Sequence, residues 1–154
     1  MQSLNHSPLI SISRYGAAKW KAAWNRCWTG DRRRSHGLST NDKCQFCLHE
    51  VETIGHLLLQ CSYSRSICFQ VLDGLGRPDL TPLASDDLER WWCSTASSWP
   101  ARQATKVRAL LLLVLRSIWL ERNARIFRAK SRLAGKVLDS IVSEAERWKS
   151  VGFL

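Results

Sequence analysis

Residues 44–61 read Cys-Gln-Phe-Cys-Leu-His-Glu-Val-Glu-Thr-Ile-Gly-His-Leu-Leu-Leu-Gln-Cys, and this stretch decides how the rest of the chain is understood. Cys44, Cys47, His56 and Cys61 are separated by two, eight and four residues. Three thiolates and one imidazole are a recurring closed ligand set for zinc, a borderline-soft cation that takes four such donors in a tetrahedron. Cys44 and Cys47, flanking Gln45 and Phe46, can present both sulfurs on one side of a tight turn. His56 to Cys61 suits a short helical turn, and residues 48–55 then close over the ion. A tetrahedron filled by protein has no open position for a substrate, so the pattern points to a structural metal. His49 is a competing imidazole, but one residue separates it from Cys47, which makes joint ligation awkward and ranks it below His56. Core cysteines, or half of a disulfide set with a packed or surface histidine, are the alternative reading of the same residues.

Around this centre the chain patterns as helix. Tyr15 to Trp28 carries Trp20, Trp24 and Trp28 at helical spacing. Thr29 is positioned to cap a short helix that displays Arg32, Arg33 and Arg34 and ends at Gly37. Ser64 to Leu75 repeats Ile67, Cys68, Val71, Leu72 and Leu75 on one face. Ser85 is the expected cap of a helix opening with Asp86 and Asp87. The longest helix is expected from Ala101 to Phe127, with Leu110 to Leu115 as its core-facing middle. A last helix, Arg132 to Lys149, is expected to bury Leu133, Val137, Leu138, Ile141, Val142, Ala145 and Trp148. Strand signals are nearly absent apart from a hairpin around Cys44 to Glu52. The expected fold is therefore mainly α: a small helical domain with a Cys3His zinc knuckle and at most a short hairpin at the metal site. Its expected parts are a flexible segment 1–14, a helix plus zinc-knuckle module 15–76, an acidic Trp-containing linker and short helix 77–100, and a long-helix pair 101–154.

Composition narrows the function. A chain of 154 residues with 45% hydrophobic residues is long enough to bury a real core. Residues 1–72 hold nine Lys/Arg against four Asp/Glu, residues 73–100 two against five, and residues 101–154 twelve against four. The net charge of +10, in two basic segments flanking an acidic one, favours polyanion partners, nucleic acid first, although solvated helix faces carry such charges too. The run Ala109 to Leu115 is too short to span a bilayer, so no membrane association is expected. No secretory signal is read at Met1 to Ile12. Reduced cysteines in the nucleus or cytoplasm are then expected, with Cys27, Cys68 and Cys93 as buried thiols. The absence of acids before Asp31 is a composition that organellar transit peptides share.

Three stretches support a family resemblance: Arg26 to Leu38, the metal set with Glu52-Thr53 ahead of His56-Leu57, and Ile118 to Phe127. Together they resemble the zinc-binding domain of plant LINE-type, non-LTR retroelement reverse transcriptases, from about Trp20 to Trp148. The resemblance implies a domain that lies C-terminal to a polymerase and helps the element's protein to bind nucleic acid. Family members commonly carry Trp seven residues after the last ligand, where this chain has Cys68. Neither polymerase nor endonuclease occurs within these residues, so a detached or truncated element terminus is expected.

The first functional expectation is a non-enzymatic module, stabilised by one Zn2+ ion, that binds RNA or single-stranded DNA. Arg32, Arg33, Arg34, Lys43 and Arg65 would contact phosphate, and Phe46 would either stack on a base or plug the knuckle. Arg122, Arg125, Arg128, Lys130 and Arg132 form a second basic run, in which Arg122 and Asn123 can instead serve helix packing. A protein-interaction module using Trp91, Trp92 and Trp99 is the alternative, as is a relic without selected activity. No catalytic residue is identified: the chain has no Gly-rich phosphate loop, no Gly-x-Ser-x-Gly, and no acidic pair placed as in a polymerase or nuclease.

Overall fold

The computed structural model describes residues 26–152. The expected helix over Tyr15 to Trp28 and the segment 1–14 lie mostly or wholly outside that range. Among the described residues five α-helices follow one another: α1 (Gly30–Ser35), α2 (Ser62–Gly74), α3 (Leu88–Ser97), α4 (Ala101–Arg128) and α5 (Ala134–Ser150). A π-helical turn, His56–Gln60, precedes α2, and a 3-10 turn, Pro78–Leu80, follows it. Among the described residues the hairpin reduces to one antiparallel bridge, Lys43 to Val51.

The core forms where α2, α4 and α5 pack against one another, with the π-turn wedged against both α2 and α4 and with α3 laid on α4. α4 has 28 residues, about 42 Å at 1.5 Å per residue. Leu111, Leu112, Leu113, Val114 and Leu115 are all buried, as expected of a helix covered on every side. On α2 the buried stripe is Ile67, Cys68 and Leu72, and on α5 it narrows to Val137 and Ile141.

Several expectations are corrected. α3 begins at Leu88, because the Asp87 carboxylate accepts from the Glu89 and Arg90 N–H groups, and Asp86 instead accepts from the Leu83 N–H at 2.8 Å. A carboxylate that caps must stand outside the helix, so Asp87 takes the role assigned to Ser85. Leu133 is 80% exposed, since α5 starts at Ala134, two residues after the expected Arg132, and Leu133 occupies its N-cap. Val142 is exposed too. Cys93 is exposed, whereas Cys27 and Cys68 are buried. Burial pushes the Cys27 thiol up to about 11 and the Cys68 thiol up to about 12, which keeps both protonated and unreactive. Trp91 and Trp92 are buried in the core and Trp99 is half-buried, so two of the three tryptophans assigned to a partner surface face inward. No helix among the described residues is long and apolar enough to cross a membrane.

Candidate metal centre

The knuckle is built by local chemistry. The Leu48 N–H donates to the Cys44 carbonyl at 2.9 Å, closing the turn, and Leu48 adopts φ +62° to complete it. That is the left-handed region, which costs a residue with a Cβ about 1–2 kcal/mol. The Phe46 N–H points at the Cys44 sulfur at 3.4 Å. The second ligand pair comes from the π-turn, closed by the Cys61 N–H donating to the His56 carbonyl at 2.8 Å. In a regular α-helix, positions five apart lie about 140° apart around the axis at about 100° per residue. The wider turn brings His56 and Cys61 back towards the same side, which explains why an apolar Leu57-Leu58-Leu59 run adopts a rare conformation here.

The four donor atoms converge within 4.8 Å of one another. The Cys44 and Cys61 sulfurs are 3.9 Å apart, and the Cys47 sulfur is 3.4 Å from His56 Nε2. A zinc tetrahedron with ordinary bond lengths has edges of about 3.8 Å between two sulfurs and about 3.5 Å between sulfur and nitrogen. The arrangement is therefore compatible with one zinc ion held by Cys44, Cys47, His56 and Cys61. The Cys44 thiol donates to the Cys61 sulfur; this bond holds the Cys44 pKa far above and the Cys61 pKa below the ordinary thiol value. Burial lowers the His56 pKa, keeping the imidazole neutral as a metal ligand requires, with Glu50 and Glu52 opposing. N–H groups of Phe46 and Cys47 lower the Cys44 value, and that of Tyr63 lowers the Cys61 value. Such outer donors favour the thiolate and orient it.

Two buried carboxylates join this centre to α4. Glu52, 1% exposed, accepts from the Gly30 N–H at 2.8 Å and from Arg122 Nε at 3.0 Å, with Arg122 Nη2 closing the pair. Arg122, also 1% exposed, reaches the Trp28 carbonyl at 2.8 Å. Gly30 is required: a Cβ there would stand 2.7 Å from the Asp42 carbonyl oxygen. Glu121, fully buried, accepts from the Arg132 N–H at 2.7 Å and from the Arg125 and Arg132 guanidinium groups. Arg125 continues to the Gln45 carbonyl at 3.0 Å and lies over both Phe46 and Tyr63, themselves stacked at 4.4 Å.

The residues assigned to nucleic acid from sequence have different surroundings. Phe46 is packed into the Tyr63–Arg125 stack. Arg65 is held by the Pro82 carbonyl at 3.0 Å. Lys43 is exposed and donates to the His49 carbonyl at 2.9 Å, so His49 contributes backbone to the knuckle. Arg34 is exposed but paired with Asp42, and Arg32 and Arg33 are half-buried on α1. Of the second basic run, Arg122 and Arg125 are engaged inside the domain, Arg132 is exposed but paired with the buried Glu121, and Arg128 and Lys130 are exposed. The sequence raised packing for Arg122 but had no signal for the role of Glu52, its partner 70 residues away.

The fold and its four converging ligands define a small, mainly helical domain organised around a Cys3His zinc site. Residues 10–67 match the model of the family described as zinc-binding in reverse transcriptase. That match includes all four ligands and ends inside α2, so α3, α4 and α5, which supply most of the core, lie beyond it. Comparisons with curated proteins and with solved structures find no match.

Proposed function

We propose that the chain is a non-enzymatic, zinc-stabilised nucleic-acid-binding module derived from the C-terminal region of a plant LINE-type retroelement reverse transcriptase, and that it acts inside the cell on RNA or single-stranded DNA. The observation that carries the reading is the reverse-transcriptase zinc-binding match over residues 10–67 coinciding with a four-ligand cluster at residues 44–61. Four protein donors fill a zinc tetrahedron, whereas catalytic zinc keeps a position for water or substrate. A net charge of +10 suits a polyanionic partner.

The test is titration of a labelled generic single strand across a salt series. The reading expects binding at low salt with a slope of about −2 to −4 in log–log form, the value for three to six phosphate contacts at about −0.7 each. It also expects Arg32→Gln, Arg33→Gln and Arg34→Gln together to weaken binding while zinc content is retained. Absence of binding at low salt, or binding indifferent to salt, refutes it.

A further inference from the structure

Folding brings together two basic segments that lie far apart in sequence. The Arg33 guanidinium lies 5.9 Å from the centre of the Phe127 ring, so a side chain of α1 reaches the C-terminal end of α4. His36, which caps the C-terminal end of α1, meets Trp28 edge to face, with ring centroids 5.1 Å apart. Trp28 is itself fixed through its carbonyl, which accepts from the buried Arg122. These contacts set Trp28 against His36 and Arg33 against Phe127, and the exposed Arg128 and Lys130 follow Phe127 in sequence.

Phe127 is 63% exposed and Trp28 49%; Phe127 stands beside the Arg33 guanidinium and Trp28 beside the imidazole of His36. The acids of the neighbourhood are engaged: Asp42 with Arg34, and Asp31 with the Thr29 hydroxyl and the Arg32 N–H. Among the described residues, the side chains of Arg128 and Lys130 form no ion pair. Exposed aromatic faces alternating with uncompensated cations are what an unpaired nucleic-acid strand requires, since bases stack on the rings while phosphates follow the charges. A duplex keeps its base faces covered and cannot use the rings in this way.

We propose that this surface, rather than the knuckle turn, seats an unpaired nucleic-acid strand, with Phe127 and Trp28 as stacking platforms and Arg33, Arg128 and Lys130 as phosphate contacts. The assignment rests on the nucleic-acid-binding reading above and adds a location and a mode to it. Phe46, the aromatic of the knuckle, already has its ring against Tyr63 and beneath Arg125.

The test uses the full zinc-loaded chain and a fluorescently labelled twelve-nucleotide oligo-uridine, with oligo-deoxythymidine and a duplex of equal length in parallel. Phe127→Ala and Trp28→Ala are each expected to weaken single-strand binding about tenfold, within the range for loss of one base–aromatic stack. Phe127→Tyr should bind as the parent does. Phe69→Ala, which removes an exposed aromatic of α2 outside this surface, should bind within twofold. Zinc content and thermal midpoint, measured on each variant, separate lost stacking from lost fold. Salt-dependent binding by the parent with unchanged affinity in both alanine variants would overturn the surface and leave the nucleic-acid reading standing. No binding by the parent at low salt would overturn both. Preference for the duplex, or competition by polyglutamate as effective as by the strand, would show attraction by charge alone and overturn the stacking assignment.

Discussion

Replacing Glu52 by Ala tests whether the metal knuckle and the C-terminal helices form one cooperative structure. The Glu52 carboxylate is 1% exposed and binds the Arg122 guanidinium, which is equally buried. Removing one member of such a pair leaves an uncompensated buried charge and typically costs about 3–5 kcal/mol. The Gly30 N–H, now bonded to Glu52 at 2.8 Å, would lose its partner as well. Against a domain stability of about 5–15 kcal/mol, the loss is a large fraction. For a chain of this size it corresponds to a fall in Tm of about 6–20 °C. Urea unfolding at fixed free zinc is the assay, because metal bound only by the folded state adds its own stabilisation. The double variant Glu52→Leu with Arg122→Leu should recover much of the loss, as apolar replacement of buried pairs often does. Recovery will be incomplete, because Arg122 also satisfies the Trp28 carbonyl at 2.8 Å. A Glu52→Ala loss under about 1 kcal/mol, or additive losses in the cycle, would refute the argument that this pair is a buried tie.

Chelation, or Cys44→Ser, should release about one equivalent of metal and lower Tm, because zinc-binding energy is in part folding energy; metal analysis and calorimetry on the same sample check it. Ala129→Gly should stabilise the chain by about 0.5–1 kcal/mol, since Ala129 ends α4 at φ +49° and glycine removes that strain at a small entropic cost in the unfolded chain. Glu121 has the clearest pH consequence. Burial raises its pKa, but hydrogen bonds from the Arg132 backbone and from the Arg132 and Arg125 guanidinium groups outweigh this and hold it below the ordinary 4.5. A folded pKa below the unfolded one gives stability that is complete above the unfolded value and is lost as pH falls through the folded value. The stability difference between the parent and Glu121→Gln should therefore be constant above about pH 5 and shrink below the ordinary carboxylate range, as measured by urea unfolding at saturating zinc.

The division between what was legible and what was not follows sequence distance. The four ligands lie within residues 44–61, and a metal knuckle is specified by local spacing, so Cys44, Cys47, His56 and Cys61 could be read directly. Helices were legible where one face repeats, as in α2, and where apolar residues run on all sides, as in α4. Boundaries were less so. Asp87 and Ser85 are both good caps, and only the direction of the Asp87 carboxylate towards the Glu89 and Arg90 N–H groups chose between them. Val142 and Cys93 are apolar residues at positions where the helix faces water, which a single-chain pattern misreads when the stripe is narrow.

By itself, then, the sequence determined the ligand set, the metal class, the helical character and the basic balance, because each depends on residues close together or on totals. Tertiary structure alone decided how the cations divide. Arg122 and Arg125 are drawn inward by Glu52 and Glu121, Arg132 pairs with Glu121 from the surface, and Arg33 is carried across to Phe127. A guanidinium looks the same in sequence whether it meets a carboxylate or water. Its role is set by which group packing brings within about 3 Å, where charge-assisted hydrogen bonds form, and partners 70 residues apart meet only when the core closes.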